Sequence, residues 1–529
     1  MRESKRSPRR APQEKKERAE RESRPADWLA LAGPALAVVV LHVVFATTYG
    51  IFRDEMYYLS CAKRLAWGYV DHPPLVALLT RIWTAVAGDG LRALRLLPAI
   101  AVGGAAALAG STARAMGGGR FAVALAGLAT GLAPIVLSLG SILSMNAIDV
   151  LVWAALFRIV AAILAGGDER LWLAFGALAG LGLLNKISVL FLGFGLVVGL
   201  VLARRWELFR SRYLWLGGAA AALLFAPHLV WQQIHGWPTL EFMANAARDK
   251  NVDYATADFL REQLLQTGPV NALVWIAGLA ALFAQESLRR FRPFAWAYLA
   301  ILAVMLSTAA KPYYLAPVYP VLWAAGAVAI ERATLGWKAR TAFRAAAAIL
   351  LVGSALALAP LARPILAVDS YVRYAAALGQ SPGSDERHQL GRLPQFFADM
   401  QEWREMAVAV GEAAAKLTPE ERAAACVFGQ DYGQAGTVER FAEELALPPA
   451  ISTHNSWFLW GPGRCAESDV FLVIDEARGR LDELFESVEP AALFDCRDCM
   501  PYEDNQTVWI VRRPKAGLGD IWAGIKNYS

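Results

Sequence analysis

Long apolar runs dominate the first two thirds of the sequence. About eleven of them recur between Trp28 and Leu361, most of them near the roughly 20 residues with which an α-helix crosses about 30 Å of hydrocarbon. They occupy 28–49, 93–112, 121–139, 148–165, 171–184, 187–202, 213–231, 270–288, 293–306, 312–330 and 345–361. This pattern predicts a mainly α-helical, polytopic membrane protein.

Basic residues are concentrated in alternate connections between these runs. They are Arg114, Arg120, Arg204, Arg205, Arg210, Arg212, Arg289, Arg290, Arg292, Arg332, Lys338 and Arg340. Because cytoplasmic loops carry the excess of Lys and Arg, this distribution predicts a cytoplasmic N-terminus. The long connections 50–92 and 232–268 are then expected outside the cytoplasm. An odd number of spans also puts everything after about Leu361 outside.

Residues 365–529 have a different pattern, with more charge and shorter apolar stretches. VFLVID and TVWIVRR are rich in β-branched and aromatic residues and predict strands, whereas EWREMAVAVGEAAAKL predicts a helix. We therefore expect three parts: a basic tail at 1–25, a membrane domain at 26–364 and an extracytoplasmic α/β domain at 365–529.

Four of the five cysteines fall in the predicted outer domain, namely Cys426, Cys465, Cys496 and Cys499. Outside the cytoplasm up to two disulfides are expected, and the three connectivities that four cysteines permit stay open. Free thiols are an alternative. A metal site is the weakest alternative, because CRDC is only half of a zinc motif.

Composition supports the membrane assignment, since 56% of the 529 residues are hydrophobic and 18 are tryptophan. The densely charged tail at 1–25 lacks the apolar periodicity of a folded segment, and the run that follows has no convincing signal-peptide cleavage site. The net charge of +5 comes mostly from the tail and from connections between spans, where basic residues orient helices. Nucleic acid is therefore not an expected partner.

Candidate chemistry begins in the connection 50–92, which opens RDEMYYLSCAKRLAWGYVDHPPL. Asp54 and Glu55 stand directly after the first apolar run. A partly desolvated carboxylate can act as a general base, although a solvated pair terminating a helix is the simpler alternative. Tyr57, Tyr58 and His72 accompany them and could contact a sugar, or an interface belt could explain the tyrosines.

A second group of candidates lies at the ends of later runs. Asp149, in SMNAID, either caps a helix or faces a polar cavity. Lys186, in LLNK, and Lys311, in KPYYLAPVYP, could each meet a phosphate, although lysines at such positions also snorkel to the interface. Tyr313 and Tyr314 follow Lys311 in a segment whose prolines predict a broken helix.

The connection 232–268 carries WQQIHGWPTLEF, with His235, and then the basic residues Arg248, Lys250 and Arg261. An anionic headgroup could use these bases. A solvated charged loop explains them equally well.

Taken in order, RDEMYYLSCAKRLAWGYVDHPPL, SMNAID, LLNK, WQQIHGWPTLEF, KPYYLAPVYP, GQDYGQAGTVERF and STHNSWFLWGPG resemble the bacterial glycosyltransferase family 39 proteins. These are relatives of protein O-mannosyltransferases and of the lipid A aminoarabinose transferase. The resemblance extends from about Trp28 to the end of the chain. It implies a GT-C fold in the bacterial inner membrane, with a polyprenyl-phosphate sugar as donor and a lipid, glycan or protein as acceptor.

The resemblance also implies residue roles. Asp54 would be the catalytic base, supported by Glu55, and Asp149 would match the second acidic position. Three basic residues would meet the donor phosphate, and six residues would line the substrate site. The phosphate group comprises Lys186, Lys311 and Arg261; the lining group comprises Tyr57, Tyr58, His72, His235, Tyr313 and Tyr314.

Transfer would invert the anomeric centre without a required cofactor, because a lipid phosphate leaves readily when fixed positive charge stabilises it. No metal ligand is assigned, and a divalent cation beside Asp54 stays open. The main alternative function is a transporter or flippase, since carboxylates and basic residues in broken helices also mark substrate pathways. No internal repeat supports that alternative, and a sensory or structural protein leaves the loop carboxylates without a role.

Overall fold

The computed structural model describes residues 25–308, 310–475 and 477–529. The predicted basic tail at 1–25 therefore lies, except for its last residue, outside the described residues. The described chain is mainly helical and ends in one small sheet, as the apolar pattern and the two strand segments predict.

A helix occupies each of the eleven apolar runs. These helices are Pro25–Val44, Leu91–Ala115, Arg120–Gly131 with Pro134–Leu139, Met145–Leu164, Leu171–Asn185, Val189–Leu202, Arg212–Ile234, Pro269–Ala284, Arg292–Leu306, Tyr319–Ala333 and Arg340–Ala362. In the described chain six helical segments are long and apolar enough to cross a membrane unaided: Asp27–Val44, Leu91–Ala115, Met145–Leu164, Arg212–Ile234, Pro312–Ala333 and Arg340–Ala362. The chain is thus a multi-pass membrane protein, and the predicted count of about eleven spans is not confirmed.

Two of the apolar segments are not continuous α-helices. Thr256–Thr267 and Pro269–Ala284 form a pair bent by 108° at Gly268, where φ is +83°. The two helices together could form a seventh span only as a broken one. Residues Pro312–Val318 form a 3₁₀ helix before Tyr319–Ala333, so the proline-rich segment interrupts regular α-helix as predicted.

Small residues bring the membrane helices into close contact. A Cβ added at Gly176 would lie 2.1 Å from the carbonyl oxygen of Gly217, and one at Gly326 would lie 1.9 Å from that of Val274. Glycine is therefore required where Leu171–Asn185 meets Arg212–Ile234 and where Pro269–Ala284 meets Tyr319–Ala333.

The basic connections meet at one end of the bundle. Arg205 donates to the carbonyl of Arg290 at 3.3 Å, and Arg332 donates to the carbonyl of Met116 at 3.0 Å. Asp27, near the start of the first helix, pairs with Arg120 at 2.6 Å. These contacts bring together, at one end of the bundle, the basic connections that the charge pattern predicts on one side of the membrane.

Shorter helices cover the opposite end: Arg53–Lys63, Leu75–Ala87, Pro238–Asn245 and Thr256–Thr267. The chain after 365 adds Val368–Ala377, Gln395–Ala398, Trp403–Ala414, Pro419–Ala424, Tyr432–Leu445, Ser456–Trp460, Leu481–Leu484 and Leu518–Ile521. The predicted helix in EWREMAVAVGEAAAKL is thereby confirmed.

The sheet has five strands: β1, Cys426–Phe428; β2, Ala450–Ile451; β3, Val470–Asp475; β4, Phe485–Phe494; and β5, Gln506–Pro514. Their order is β2-β1-β3-β5-β4, with β2, β1 and β3 parallel and β5 antiparallel to both β3 and β4. Both predicted strands, VFLVID and TVWIVRR, lie in it, as β3 and within β5.

Two disulfides join residues of this region. Cys426 in β1 bonds to Cys465, and Cys496 bonds to Cys499. The structure thus selects one of the three open connectivities. Cys61 is a buried free thiol.

Candidate active site

Asp54 lies in the first turn of helix Arg53–Lys63, at the end of the bundle that carries the sheet region. Its Oδ1 accepts a hydrogen bond of 2.8 Å from the hydroxyl of Tyr432. Burial raises the pKa of the Asp54 carboxyl above its ordinary value, although Arg53 and the Tyr432 hydrogen bond act in the opposite direction. A carboxylate tuned upward by burial has the character of a general base.

Arg53 joins helix Arg53–Lys63 to the sheet region. Its Nη1 donates to the hydroxyl of Tyr502 at 2.8 Å, and its guanidinium lies 5.0 Å from the ring centre of Tyr432. Asp431 accepts backbone hydrogen bonds from Gly433 and Gln434 and so caps the helix that begins at Tyr432. The cap places Tyr432 directly over Arg53 and Asp54.

Three further carboxyl groups surround Arg53. Burial raises the pKa of Asp399 to about 6. Burial and then the charge of Asp431 raise the pKa of Glu503 well above its ordinary value, whereas the charges of Arg53 and His454 outweigh burial and lower the pKa of Asp431. Within this pair burial and mutual repulsion favour the protonated form at Glu503, whereas the neighbouring positive charge favours the ionised form at Asp431.

Glu55 is completely buried, in contrast to its neighbour. Arg95 pairs with it at 2.8 Å, and the backbone N–H groups of Phe52 and Leu143 each donate to it at 2.9 Å. These contacts tie the start of helix Arg53–Lys63 to helix Leu91–Ala115. The supporting role expected for Glu55 stays a prediction, and its contacts are those of a residue that fixes the backbone beside Asp54.

Lys311 and Lys250 share one carboxylate. Lys311 Nζ lies 2.7 Å and Lys250 Nζ lies 3.6 Å from Oε1 of Glu386. Lys250 is also close enough to Asp54 and Arg53 for their charges to influence it. Two lysines thus share one carboxylate close to Asp54, and ammonium groups in such a position suit an anionic ligand.

Lys186 and Asp149 form the adjoining part of the cluster. Lys186 Nζ donates to Oδ1 of Asn146 at 2.6 Å and lies 5.0 Å from the ring centre of Tyr314 and 5.7 Å from that of Tyr313. Asp149 is buried, and the hydroxyl of Ser188 lies 2.7 Å from both of its carboxylate oxygens. The predicted Asp149, Lys186, Lys311, Tyr313 and Tyr314 therefore come together.

The three remaining candidates from the first connection are packed inside the protein. The Tyr57 hydroxyl lies 2.7 Å from both Oδ1 of Asp71 and Oγ of Ser456. His72 is fully buried, lies 2.8 Å from the carbonyl of Pro73 through Nδ1, and is 5.1 Å from Tyr58 between ring centres. Their substrate-binding roles stay predictions.

His235 and Arg261 lie at the surface. His235 stacks on Trp231 with ring centres 4.1 Å apart, and Arg261 is 66% exposed beside Glu262. Among the described residues, neither forms a hydrogen bond or ion pair with Asp54 or its partners. The structure thus does not bring these two candidates into the cluster.

Sequence reasoning did not single out Arg53, Tyr432 or Glu386. Arg53 adjoins Asp54 in RDE, and Tyr432 follows a helix-capping aspartate in GQDYGQAG, so both had a local signal. Glu386 had none, because its importance depends on two lysines distant in sequence. In the described ranges no group of three or more His, Cys, Asp or Glu residues is arranged to hold a metal ion.

Comparison with known proteins extends this description. Residues 71–231 match the family model for dolichyl-phosphate-mannose-protein mannosyltransferase. The fold is similar to that of ArnT from Cupriavidus metallidurans in the apo state, with TM-score 0.61, 16% identity, and coverage of 90% of this chain and 97% of that one. The structure of ArnT from Cupriavidus metallidurans bound to undecaprenyl phosphate is similar as well, with TM-score 0.60 and 16% identity. That match covers 92% of this chain and 98% of the other. No curated protein matches the sequence significantly.

These findings confirm the resemblance that the ordered motifs indicate. They establish the fold at low sequence identity, and the family-model match begins at Asp71 within the first long connection.

Proposed function

We propose that this chain, which shares the ArnT fold and a mannosyltransferase family match, is a membrane glycosyltransferase that uses a polyprenyl-phosphate sugar. The observation that carries the proposal is Asp54, a carboxylate with a raised pKa beside a group of lysines. Such a transfer requires a general base for the acceptor and positive charge that binds the phosphate of the donor.

In the proposed reaction, Asp54 takes the proton from an acceptor hydroxyl or amine. The acceptor atom attacks the anomeric carbon, and the bond between that carbon and the phosphate oxygen breaks. The electron pair leaves with polyprenyl phosphate, whose charge is stabilised by Lys186, Lys311 and Lys250. Attack opposite the leaving group inverts the anomeric centre.

The positions of the lysines support this assignment of roles. Glu386 pairs with both Lys311 and Lys250 and so offsets part of their charge. A phosphate would compete with Glu386 for the same ammonium groups. Asp149 and Asn146 lie beside Lys186 and could orient the sugar or the lysine.

The reaction is proposed to occur on the outer face of a bacterial inner membrane. The basic connections gathered at the opposite end of the bundle support a cytoplasmic location for that end. The two disulfides support an oxidising compartment for the sheet region. The similar structure of ArnT bound to undecaprenyl phosphate supports a polyprenyl donor.

The test is transfer of label from a panel of radiolabelled polyprenyl-phosphate sugars by protein in liposomes with membrane extract. Asp54→Asn should lower the rate by about 100- to 10,000-fold, because it removes the general base. Asp89→Asn is the matched control, since Asp89 lies in the same connection, is 61% exposed and pairs with Arg440. It should transfer at the wild-type rate.

Each outcome of this test discriminates. Equal transfer by wild type and Asp54→Asn would remove Asp54 from the mechanism. Absence of transfer by wild type across donors and acceptors would overturn the proposal and favour a transporter. A parallel assay with a chelator tests whether a divalent cation takes part, and NMR of the product tests inversion.

A further inference from the structure

The hydrogen bond between Tyr432 and Asp54 joins residues 378 positions apart. The helices that carry them pack closely because Gly433 and Gly436 face helix Arg53–Lys63. A Cβ at Gly433 would lie 2.6 Å from Cγ of Arg53, and one at Gly436 would lie 3.1 Å from Cβ of Met56. Two glycines one turn apart therefore allow the approach that the hydrogen bond requires.

Tyr432 has little freedom to turn away from Asp54. Its ring centre lies 4.8 Å from that of Tyr57 and 5.0 Å from that of His454, and the Arg53 guanidinium lies over its face. Its backbone N–H donates to Nδ1 of His454 at 3.3 Å. Only 7% of the residue is exposed. Packing on several sides thus directs the hydroxyl at the carboxylate.

We infer that Tyr432 is a positioning residue for Asp54, so that the sheet region completes the catalytic site instead of only covering it. The inference rests on the proposed function. The hydroxyl donates to the ionised carboxylate, and it orients the oxygen that would accept the proton from the acceptor. Loss of the hydroxyl should therefore change how Asp54 titrates as well as how fast the enzyme works.

The direction of that change follows from the electrostatics. The hydrogen bond favours the charged form of Asp54, so its removal raises the pKa of the Asp54 carboxyl. The other titratable and charged groups that face Asp54 remain in place: Arg53, Tyr58, Asp71, Lys250, Tyr313 and Asp399.

The test is the pH dependence of kcat for Tyr432→Phe, which keeps the ring and its packing. Because Asp54 must be ionised to accept a proton, activity falls on the acid side of its pKa. Tyr432→Phe should move this acid limb upward by about one pH unit, which is about a tenfold loss of rate at pH values below the limb. KM for the donor should stay near the wild-type value, and the loss should be smallest at high pH.

Tyr374→Phe is the matched control. The Tyr374 hydroxyl donates to the carbonyl of Ala357 and so also joins the chain after 365 to a membrane helix, but away from Asp54. This variant should keep the wild-type pH profile. An unchanged profile for Tyr432→Phe, or a loss of equal size at every pH, would overturn the inference.

A second measurement separates failure of this inference from failure of the proposed function. Infrared difference titration, with Asp54→Asn as the reference, follows protonation of the Asp54 carboxyl without any substrate. If wild type transfers no sugar, the proposed function fails and Tyr432 has no role in transfer. If wild type transfers sugar but the Asp54 midpoint is the same in wild type and Tyr432→Phe, the positioning role is wrong.

Discussion

The two ends of the helix bundle differ in how they accommodate charged side chains. At the end where the basic connections meet, Arg205–Glu207 and Arg289–Glu286 leave 24–82% of each side chain exposed. At the end that carries Asp54, Arg95–Glu55 and Lys311–Glu386 leave 0–13% exposed. Surface pairs contribute little to stability, whereas buried charges carry a large desolvation cost. The buried ion pairs near Asp54 are thus present despite their desolvation cost, as is typical of a functional site.

The largest expected effect comes from breaking the buried pair at the Asp54 end. Glu55→Ala leaves Arg95 buried without its carboxylate and removes the acceptor for two backbone N–H groups. We expect a loss of about 3–5 kcal/mol in the free energy of unfolding, measured as a lower unfolding temperature in detergent. Glu286→Ala, at the exposed end, is the control. Equal losses in the two variants would contradict the distinction between the ends.

A smaller effect is expected from pH. Burial works to raise the pKa of the Glu386 carboxyl, but the His388 hydrogen bond and the charges of Lys250 and Lys311 outweigh burial and bring that pKa well below its ordinary value. A carboxyl with a lowered pKa stabilises the fold above its unfolded pKa, near 4.5, and this contribution is lost as pH falls below it.

The measurement is the unfolding temperature of wild type and Glu386→Gln between pH 7 and pH 3. Wild type should be the more stable protein at pH 7, and the difference between the two should shrink below about pH 4.5. A difference that stays constant across this range would show that the charge of Glu386 does not contribute. Glu207→Gln, at the exposed end, should show a much smaller difference from wild type at pH 7.

The smallest effect is expected from Arg205→Ala. Arg205 pairs with Glu207 at the exposed end, where solvent screens the interaction. The free energy of unfolding should change by no more than about 0.5 kcal/mol, and sugar transfer should be unaffected. A loss comparable to that of Glu55→Ala would show that the exposed end depends on its ion pairs as well.

Much of the fold could be predicted from the sequence because its signals are local. A run of apolar residues specifies a helix, and each of the eleven runs contains one. Whether a helix crosses the membrane depends on its length, tilt and neighbours, and Leu171–Asn185 and Val189–Leu202 are too short to decide this by composition. The count of spans therefore does not follow from length and composition alone.

The candidate site was predictable mainly where its residues adjoin a span end. Asp54, Lys186 and Lys311 satisfy that condition. Tyr432 and Glu386 do not, because their positions are set by the packing of the chain after 365 onto the bundle. His72 shows the converse case, in which the sequence suggests accessibility that the structure does not show. A histidine in a polar loop gives no sequence sign that its side chain is completely buried.

The separation of Asp54 and Tyr432 along the chain also has a consequence for synthesis. Translation at about 5–20 residues per second puts roughly 20 to 75 s between the appearance of the two residues. During that interval the first helices can enter the membrane, but Asp54 lacks its tyrosine partner. A nascent chain therefore carries an incomplete centre until most of its length has been made, and a truncated product retains the membrane helices without the finished site.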